Sequence, residues 1–140
     1  MDDAIDFRPA LPADYEMVRE FLNPFVVAEY LLPRTEAELR KLIENGFVAQ
    51  SGKKVVGFSA VEVYSKKLSE IQCLAVDSEF RRRGIGKQLV QRCVERAAEH
   101  GVLELLAISA SDEMFKACGF DYSLPNQKRA LFVQLNRPAE

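Results

Sequence analysis

The stretch Arg81-Arg82-Arg83-Gly84-Ile85-Gly86-Lys87 lies between an apolar run at 71–76 and a helical pattern that begins near Gly84. This order predicts a strand, a glycine-rich turn and then a helix. Two glycines separated by one residue allow a tight turn, so that consecutive N–H groups can converge on an anion at the start of the helix. The arginines and Lys87 add positive charge beside that turn. The stretch therefore predicts a site for a pyrophosphate.

The spacing of this turn differs from the glycine fingerprints of nucleoside triphosphate and dinucleotide sites. It resembles the acyl-CoA motif of the GNAT acetyltransferases, [Q/R]-x-x-G-x-[G/A], with Arg81, Gly84 and Gly86 at its fixed positions. The run at 74–77 resembles the L-x-V strand end of that family, and the run at 115–120 resembles its [FY]-x-x-x-G-F element. The alternative, for the arginines alone, is a basic surface turn that binds nothing.

Composition indicates one ordinary globular domain, 1–140. Of the 140 residues, 48% are hydrophobic and 29% are charged, and the net charge is -2. A nucleic-acid-binding protein normally shows a basic face, so the arginine run indicates a discrete anionic ligand and no nucleic acid.

No apolar run approaches the ~20 residues that cross a bilayer, and the start Met1-Asp2-Asp3 is acidic, so we expect no membrane segment and a cytoplasmic location. Three widely spaced cysteines, Cys73, Cys93 and Cys118, lie in apolar patterns. That arrangement favours reduced, buried thiols over disulfides or a metal site. The single histidine, His100, is interpreted as part of a helix end.

The first half of the chain predicts strands at 5–9, 47–50, 54–63 and 68–76, with hairpin turns between the last three. A helix over 12–22 should end at Asn23-Pro24, and the apolar segment 25–33 should form a loop or short helix over the substrate side. Thr35 to Glu38 reads as a capping box that begins a second helix. Gly57 is a candidate bulge or close-approach point.

The second half predicts a helix from Gly84 to Gly101, then a strand over 102–108 that is covered on both faces. A short helix over 111–118 follows, and a strand over 130–135 closes the sheet. Hairpins followed by strand-helix-strand units define an α/β (α+β) class. The resemblance implies the GNAT fold, a mixed, mostly antiparallel sheet of six to seven strands with about four helices.

By the resemblance, the cosubstrate is acetyl-CoA, with its pyrophosphate on the main chain of 81–86 and its pantetheine arm along the strand that ends at Val76. The cofactor-binding residues that this implies are Leu74, Ala75, Val76, Arg81, Arg82, Arg83, Gly84, Ile85, Gly86, Lys87 and Phe115. Catalysis then requires a neutral amine held against the thioester carbonyl and an oxyanion donor, for which the N–H near Leu74 is the candidate.

The candidate bases are Glu70 and Glu62, on strands that flank the expected cleft. Phe115 stands where the family usually has a tyrosine general acid, and it is itself read as a core aromatic. The thiolate therefore leaves unprotonated or through water, or Ser109, Ser111 or Tyr122 supplies the proton, or the chain is a weak catalyst.

Within the family, the chain is similar to the acetyltransferase domain of N-acetylglutamate synthases at 31–35, at 70–76, from Ser109 to Phe120 and at Leu124-Pro125. That similarity implies contacts with an acidic amino acid from Arg34 and from the main chain at Leu32 and Cys73. The tail at 127–130 departs from the arginine-and-serine pair of those enzymes, although Lys128 and Arg129 keep positive charge nearby and are candidate substrate contacts. Glu62 departs from the similarity, because those enzymes have a basic residue there. Arg34 also has a second interpretation, as a solvated residue beside the helix cap.

The predicted activity is acetyl transfer to the amine of a small molecule in a ternary complex. A protein or peptide acetyltransferase, served by an acidic cleft around Glu62 and Glu70, is one alternative. A catalytically weak acyl-CoA-binding sensor is the other. The edge strands and the apolar segment 25–32 are also compatible with a homodimer.

Overall fold

A mixed sheet of five strands organises the protein in the computed structural model, which describes residues 4–109, 113–126 and 130–135. The strands lie in chain order, each beside the next. The first four pair antiparallel, and the fifth pairs parallel with the fourth. Their bounds are β1 Ile5–Pro9, β2 Gly46–Ser51, β3 Lys54–Val63, β4 Leu68–Val76 and β5 Glu104–Leu106.

Helices cover both faces of this sheet. Their bounds are α1 Tyr15–Val27, α2 Glu36–Ile43, α3 Ile85–Glu99 and α4 Glu113–Ala117. One core cluster joins α1 and α2 to the sheet around Val48 and Phe58, and a second joins α3 and α4 to the other face around Val56 and Leu89. The sheet is therefore the middle of three layers, and each layer buries its apolar side chains against the next.

The predicted fold class is confirmed, but the predicted strand count is wrong for the described residues. The segment 130–135 forms no strand, and its side chains are exposed. The predicted strand over 102–108 is reduced to the three residues of β5, and Leu103 is 79% exposed. Within the described ranges no strand lies beyond β5, so β5 is an edge strand with hydrogen bonds to β4 alone.

The first helix runs past the proline that was expected to end it. Pro24 lies inside α1, which continues to Val27. Proline removes one hydrogen bond from a helix. In α1 that loss is offset by aromatic side chains that pack before and after the proline. The rings of Phe21 and Phe25 are 5.4 Å apart, and both pack against the core. Burial of aromatic surface on both sides of the proline keeps the helix intact.

Thr35 caps α2 as the sequence predicts. Its hydroxyl accepts a hydrogen bond from the Glu38 N–H, and the Glu38 carboxylate accepts one from the Thr35 N–H. Both interactions satisfy N–H groups that a helix start leaves without partners. The reciprocal pair fixes the point where the chain enters α2, and so it fixes the position of Arg34 immediately before it.

Gly57 allows α3 to approach the sheet closely. A Cβ at this position would lie 2.9 Å from Leu89 Cδ1 and 3.1 Å from Ile85 Cγ2. The pairing of β2 with β3 also shifts register beside it, after Ala49. Gly57 itself pairs with Ala49 and the extra residue is the neighbouring Val56, so of the two alternatives for Gly57 the close approach is confirmed. The contact places the first turn of α3 against the sheet, next to the end of β4.

β4 carries a second irregularity, at Cys73. In its ladder with β3, Phe58 pairs with Ala75 and Ala60 pairs with Gln72, so two residues of β4 oppose one of β3. Cys73 has a φ of 59°, in the left-handed region that glycine favours. The bulge changes the alternation of the strand: Ile71 packs on the α3 side, whereas Cys73 and Ala75 pack on the α1 and α2 side.

Candidate acetyl-CoA and acceptor site

A cleft opens where β4 and β5 separate. β5 pairs with β4 only as far as Glu70, so residues 71–76 have no strand on that side within the part of the chain described. The cleft has a volume of about 600 Å³. Its walls are formed by Phe25, Tyr30, Leu31, Leu32, Arg34, residues 70–76, Arg81, Ala107, Ile108, Ser109, Phe115, Phe132 and Gln134.

The glycine-rich turn lies at one end of this cleft. Gly84 has a φ of 75° and precedes α3, and Arg82, with a φ of 66°, is also left-handed. The first hydrogen bond of α3 runs from the Gln88 N–H to the Gly84 carbonyl. The N–H groups of the residues between them, 85–87, therefore have no acceptor within the helix and point out of its N-terminus. This is the geometry of an anion-binding helix start.

Positive side chains surround that turn. Arg81 lines the cleft, and Arg82 and Lys87 are exposed beside it. Arg83 is placed differently, with its guanidinium 4.9 Å from the centre of the Phe80 ring. Of the three arginines, Arg81 is therefore the one that reaches the cleft wall directly, while the other two raise the local positive potential.

The opposite end of the cleft holds a chain of hydrogen-bonded side chains. Arg34 Nη2 donates to Gln72 Oε1, and Gln72 Nε2 donates to the Tyr64 hydroxyl at 3.3 Å. The Tyr64 hydroxyl donates in turn to Glu70 Oε1 at 2.5 Å. All donors point in one direction, from the guanidinium to the carboxylate. We call this set of four residues the polar chain.

Arg34 keeps unused donors at the cleft. Its Nε is buried and has no hydrogen-bond partner among the described residues. An unpaired buried donor costs free energy unless a ligand or water supplies an acceptor. The capped start of α2 and the bond to Gln72 hold the guanidinium against β4, where Arg34 is one of the residues that line the cleft.

Tyr64, which belongs to the polar chain, and Cys73, which follows Gln72 in β4, both have raised pKa values. Partial burial, together with the hydrogen bond to Glu70, raises the pKa of Tyr64 to about 12. Burial also raises the pKa of the Cys73 thiol, although the positive charge of Arg34 acts in the opposite direction. Both groups therefore stay protonated near neutral pH. Tyr64 acts as a hydrogen-bond donor, and Cys73 is a neutral wall residue.

The predicted catalytic residues lie at different distances from the cleft. Glu70 and Ser109 line it, whereas Glu62 and Tyr122 do not. Glu62 nevertheless pairs directly with Glu70 across β3 and β4, so both carboxylates lie on the same face of the sheet. Tyr122 lies under the Lys116 ammonium, 4.7 Å from its ring centre.

Phe115 is both a core residue and a wall of the cleft. It is 7% exposed and packs edge-on against Phe120, with ring centres 5.4 Å apart. It has no hydroxyl to protonate a leaving group. Among the predicted substrate contacts, Leu32, Arg34 and Cys73 line the cleft. Ser111, Lys128 and Arg129 lie outside the described residues.

Sequence reasoning missed Tyr64 and Gln72. Both belong to the polar chain, and neither stands in a motif. Gln72 could have been found, because it lies two residues after Glu70 on the same strand and alternation places the two on one face. Phe132 and Gln134 also line the cleft, although their segment was expected to serve as a sheet strand.

A family model described as the acetyltransferase (GNAT) family matches residues 14–120. The chain therefore belongs to the GNAT acetyltransferase family. An N-acetyltransferase of Chlorobaculum tepidum, CT2212, is 32% identical over 113 residues, which are 81% of this chain and 73% of that protein. An amino-acid acetyltransferase of Photorhabdus laumondii is 26% identical over 94% of this chain, but the match covers only 31% of that longer protein.

Solved structures share the fold. Rv2747 from Mycobacterium tuberculosis, solved in complex with CoA and NLQ, has a TM-score of 0.69 and 26% identity over 81% of this chain and 70% of that one. The N-acetylglutamate synthase of Neisseria gonorrhoeae has a TM-score of 0.72 and 22% identity over 84% of this chain and 28% of that one. At that identity the second match supports the fold alone.

Acetyl-CoA is the cosubstrate of this family, and the residues present fit it. The start of α3 offers N–H groups to a pyrophosphate, and the unpaired edge of β4 offers main-chain groups to an extended arm. Apolar side chains of Ala75, Val76 and Phe115 line the path between them. Within the described ranges, no helix could cross a membrane, and no group of three or more His, Cys, Asp or Glu side chains could hold a metal ion.

Proposed function

We propose that this domain transfers the acetyl group of acetyl-CoA to the amine of a small molecule that carries a carboxylate. In its narrowest form, the proposal names an acidic amino acid such as glutamate. The observation that carries it is the buried Nε of Arg34, a donor without a partner at the acceptor end of the cleft. A guanidinium fork held in this way matches a carboxylate in shape and charge. The amino-acid acetyltransferases similar to this chain support the choice of an amino acid.

The turn before α3 holds the coenzyme in this proposal. The N–H groups of residues 81–86 donate hydrogen bonds to the pyrophosphate, and Gly84 provides the left-handed backbone conformation that orients them. Arg81, Arg82, Arg83 and Lys87 supply the surrounding positive charge. The pantetheine arm lies along Leu74, Ala75 and Val76, where β4 has no strand on its open side among the residues described.

Acetyl-CoA supplies an activated thioester, so the chain has to position the amine and stabilise charge. Glu70 accepts a proton from the acceptor ammonium, directly or through a water, and the free amine attacks the acetyl carbonyl. The Leu74 N–H, beside the bulge at Cys73, donates to the oxyanion that forms. The C–N bond forms, the C–S bond breaks, and the nitrogen loses a second proton to solvent. The released thiolate takes a proton from solvent, or from Ser109, which then recovers one from solvent.

Glu62 and Tyr122 have weaker roles in this proposal. Glu62 acts through its charge, since it lies opposite Glu70 and outside the cleft wall. Tyr122 is not among the cleft residues, so it is the poorest candidate for the general acid. Lys128 and Arg129 remain proposed contacts to a second carboxylate.

A thiol-release assay tests the proposal. Purified protein and acetyl-CoA are mixed with glutamate, glutamine, lysine, putrescine, or a peptide with a free N-terminus, and free CoA is measured over time. We expect turnover with the carboxylate-bearing amino acids and none with putrescine, which has no carboxylate for Arg34. Turnover with putrescine alone, or with the peptide alone, would overturn the choice of acceptor.

The peptide has a place in the panel because the paired carboxylates of Glu62 and Glu70 also suit a cationic acceptor. The Ard1 protein of Thermoplasma volcanium, at 25% identity and a TM-score of 0.67, shares the fold. Binding of CoA in calorimetry without turnover on any acceptor would indicate a sensor. The single domain over 1–140, the homodimer and the cytoplasmic location stay predictions, of which the homodimer is testable by light scattering.

A further inference from the structure

Tyr64 does not line the cleft, but through the polar chain it is linked to two residues that do, Arg34 and Glu70. It follows β3 in the turn to β4, where its N–H donates to the Leu68 carbonyl at 3.0 Å. The residue is half exposed, so its hydroxyl is not required to fill the core. That hydroxyl touches three polar side chains: it is 2.5 Å from Glu70, 3.3 Å from Gln72 and 3.4 Å from Glu62.

A phenol has one proton to donate. The short contact assigns that proton to Glu70, so the Tyr64 oxygen is free to accept from Gln72. Since Gln72 Nε2 is turned toward Tyr64, Gln72 Oε1 faces the other way and accepts from Arg34 Nη2. Arg34 can only donate and the Glu70 carboxylate only accepts, so these two ends fix the direction of every hydrogen bond, and the Tyr64 hydroxyl is the group that joins Gln72 to Glu70.

We infer that Tyr64 is a positioning residue that sets both the guanidinium of Arg34 and the carboxylate of Glu70 for the acceptor. Through Gln72 it fixes which nitrogens of Arg34 are left for a carboxylate. Through its own O–H it fixes the rotamer of Glu70 that faces the amine. The inference rests on the proposed function, because it assigns Arg34 and Glu70 the roles given there.

The test is Tyr64→Phe, which removes the hydroxyl and keeps the ring. We expect the acceptor KM to rise and kcat to fall by about fivefold each, because one hydrogen bond to the neutral Gln72 and one to the Glu70 carboxylate are lost. The Kd for CoA should not change, because the hydrogen bonds of the polar chain do not involve the turn before α3. Ser65→Ala is the matched control: it removes a 3.1 Å hydrogen bond from the same turn and leaves the polar chain intact.

Repeating the substitution in a Gln72→Leu background separates the effect of Tyr64 on Arg34 from its effect on Glu70. In Gln72→Leu, Arg34 has already lost its anchor, so adding Tyr64→Phe should leave KM unchanged while kcat still falls through Glu70. If Tyr64→Phe behaves like Ser65→Ala, or raises KM equally in both backgrounds, the inference is wrong. If the wild-type protein acetylates no carboxylate-bearing amine, the proposed function fails and the inference fails with it.

Discussion

Glu62 and Glu70 face each other directly across the β3 and β4 ladder, with one hydroxyl, that of Tyr64, against both carboxylates. Like charges in this arrangement repel each other and give the acceptor end of the cleft a negative potential. Glu70 has a role in the proposed chemistry, whereas Glu62 only adds charge. Glu62 should therefore control which acceptors are tolerated more than how fast they react.

Charge reversal at this position, Glu62→Lys, should improve an acceptor that carries a second carboxylate. We expect the ratio of kcat/KM for glutamate to that for glutamine to rise about tenfold, which corresponds to roughly 1.4 kcal/mol of transition-state interaction. The two acceptors have nearly the same shape, so the ratio reports charge. Glu95→Lys, exposed on α3, changes the net charge equally and should leave the ratio unchanged. An unchanged ratio in Glu62→Lys would show that the acceptor side chain lies elsewhere.

Replacement of Arg34 tests whether its guanidinium binds the carboxylate of the acceptor. Arg34→Gln should raise the acceptor KM on the order of a hundredfold, because a charged hydrogen-bonding fork is lost. Arg34→Lys should recover only part of that loss, since a single ammonium cannot form the paired contact. The Kd for CoA, measured by calorimetry, should stay the same in both variants. Equal KM values in Arg34→Gln and the wild type would make Arg34 a solvated residue beside the α2 cap.

Much of this molecule follows from local sequence patterns. The capping box at Thr35 and the turn at Gly84 each depend on residues that are neighbours in sequence. Such features have short signatures because the chemistry that creates them is local. The glycine-rich turn and the helix α3 that follows it could therefore be predicted from the sequence.

The acceptor end could not be predicted in the same way. The bulge at Cys73 places a residue other than glycine in a left-handed conformation, and the strand pattern there contains no glycine to indicate it. The polar chain depends on contacts between residues 34 and 72 and between residues 64 and 70, which the register of a bulged hairpin brings together. The helix through Pro24 is a similar case, because aromatic packing outweighs a local breaker.

The turn before α3 can be tested by a pair of glycine substitutions. Gly84→Ala and Gly52→Ala both place a side chain at a positive φ, 75° and 60°, where nothing lies within 4 Å of the new Cβ. Each should therefore destabilise the fold by about 1 kcal/mol for the same conformational reason. Only Gly84→Ala should also weaken CoA binding, by about tenfold in calorimetry. Equal CoA affinities in the two variants would remove the turn from the coenzyme site.

The ion pair of Arg8 and Asp14 predicts a pH-dependent stability. Arg8 donates two hydrogen bonds to Asp14, of 2.7 and 2.9 Å, and these hold the pKa of the buried carboxyl below its usual value. A lowered pKa means that the contribution is complete above the unfolded-state value, roughly 3.9, and is lost as the pH falls through the folded-state value. Asp14→Asn should thus cost about 1–2 kcal/mol at pH 7 and progressively less below pH 4.

Urea unfolding of wild type and Asp14→Asn across that pH range measures the effect. Glu16→Gln is the control, because Glu16 pairs with Arg19 on the exposed side of α1 and its loss should be small at every pH. A constant difference between wild type and Asp14→Asn from pH 7 to pH 2 would contradict the assignment of the effect to the ionised carboxylate.

Phe115 offers a test by gain of function. It is a wall of the cleft, and it stands at the position where the family element [FY]-x-x-x-G-F has either phenylalanine or tyrosine. Phe115→Tyr adds a hydroxyl that can protonate the departing thiolate, so we expect kcat to rise several-fold, in the lower part of the range for general acid catalysis, with the acceptor KM unchanged. The comparison variant is Phe120→Tyr, whose ring packs against Phe115 but does not line the cleft.

The solvent isotope effect on kcat distinguishes the outcomes. If protonation of the thiolate limits the wild-type rate, the effect should be larger in the wild type than in Phe115→Tyr, and Phe120→Tyr should match the wild type. If kcat is unchanged in Phe115→Tyr although the protein folds and binds CoA, thiolate release is not limiting. The chain would then manage without a protein acid, because coenzyme A is already a good leaving group and the open cleft gives its sulfur access to water.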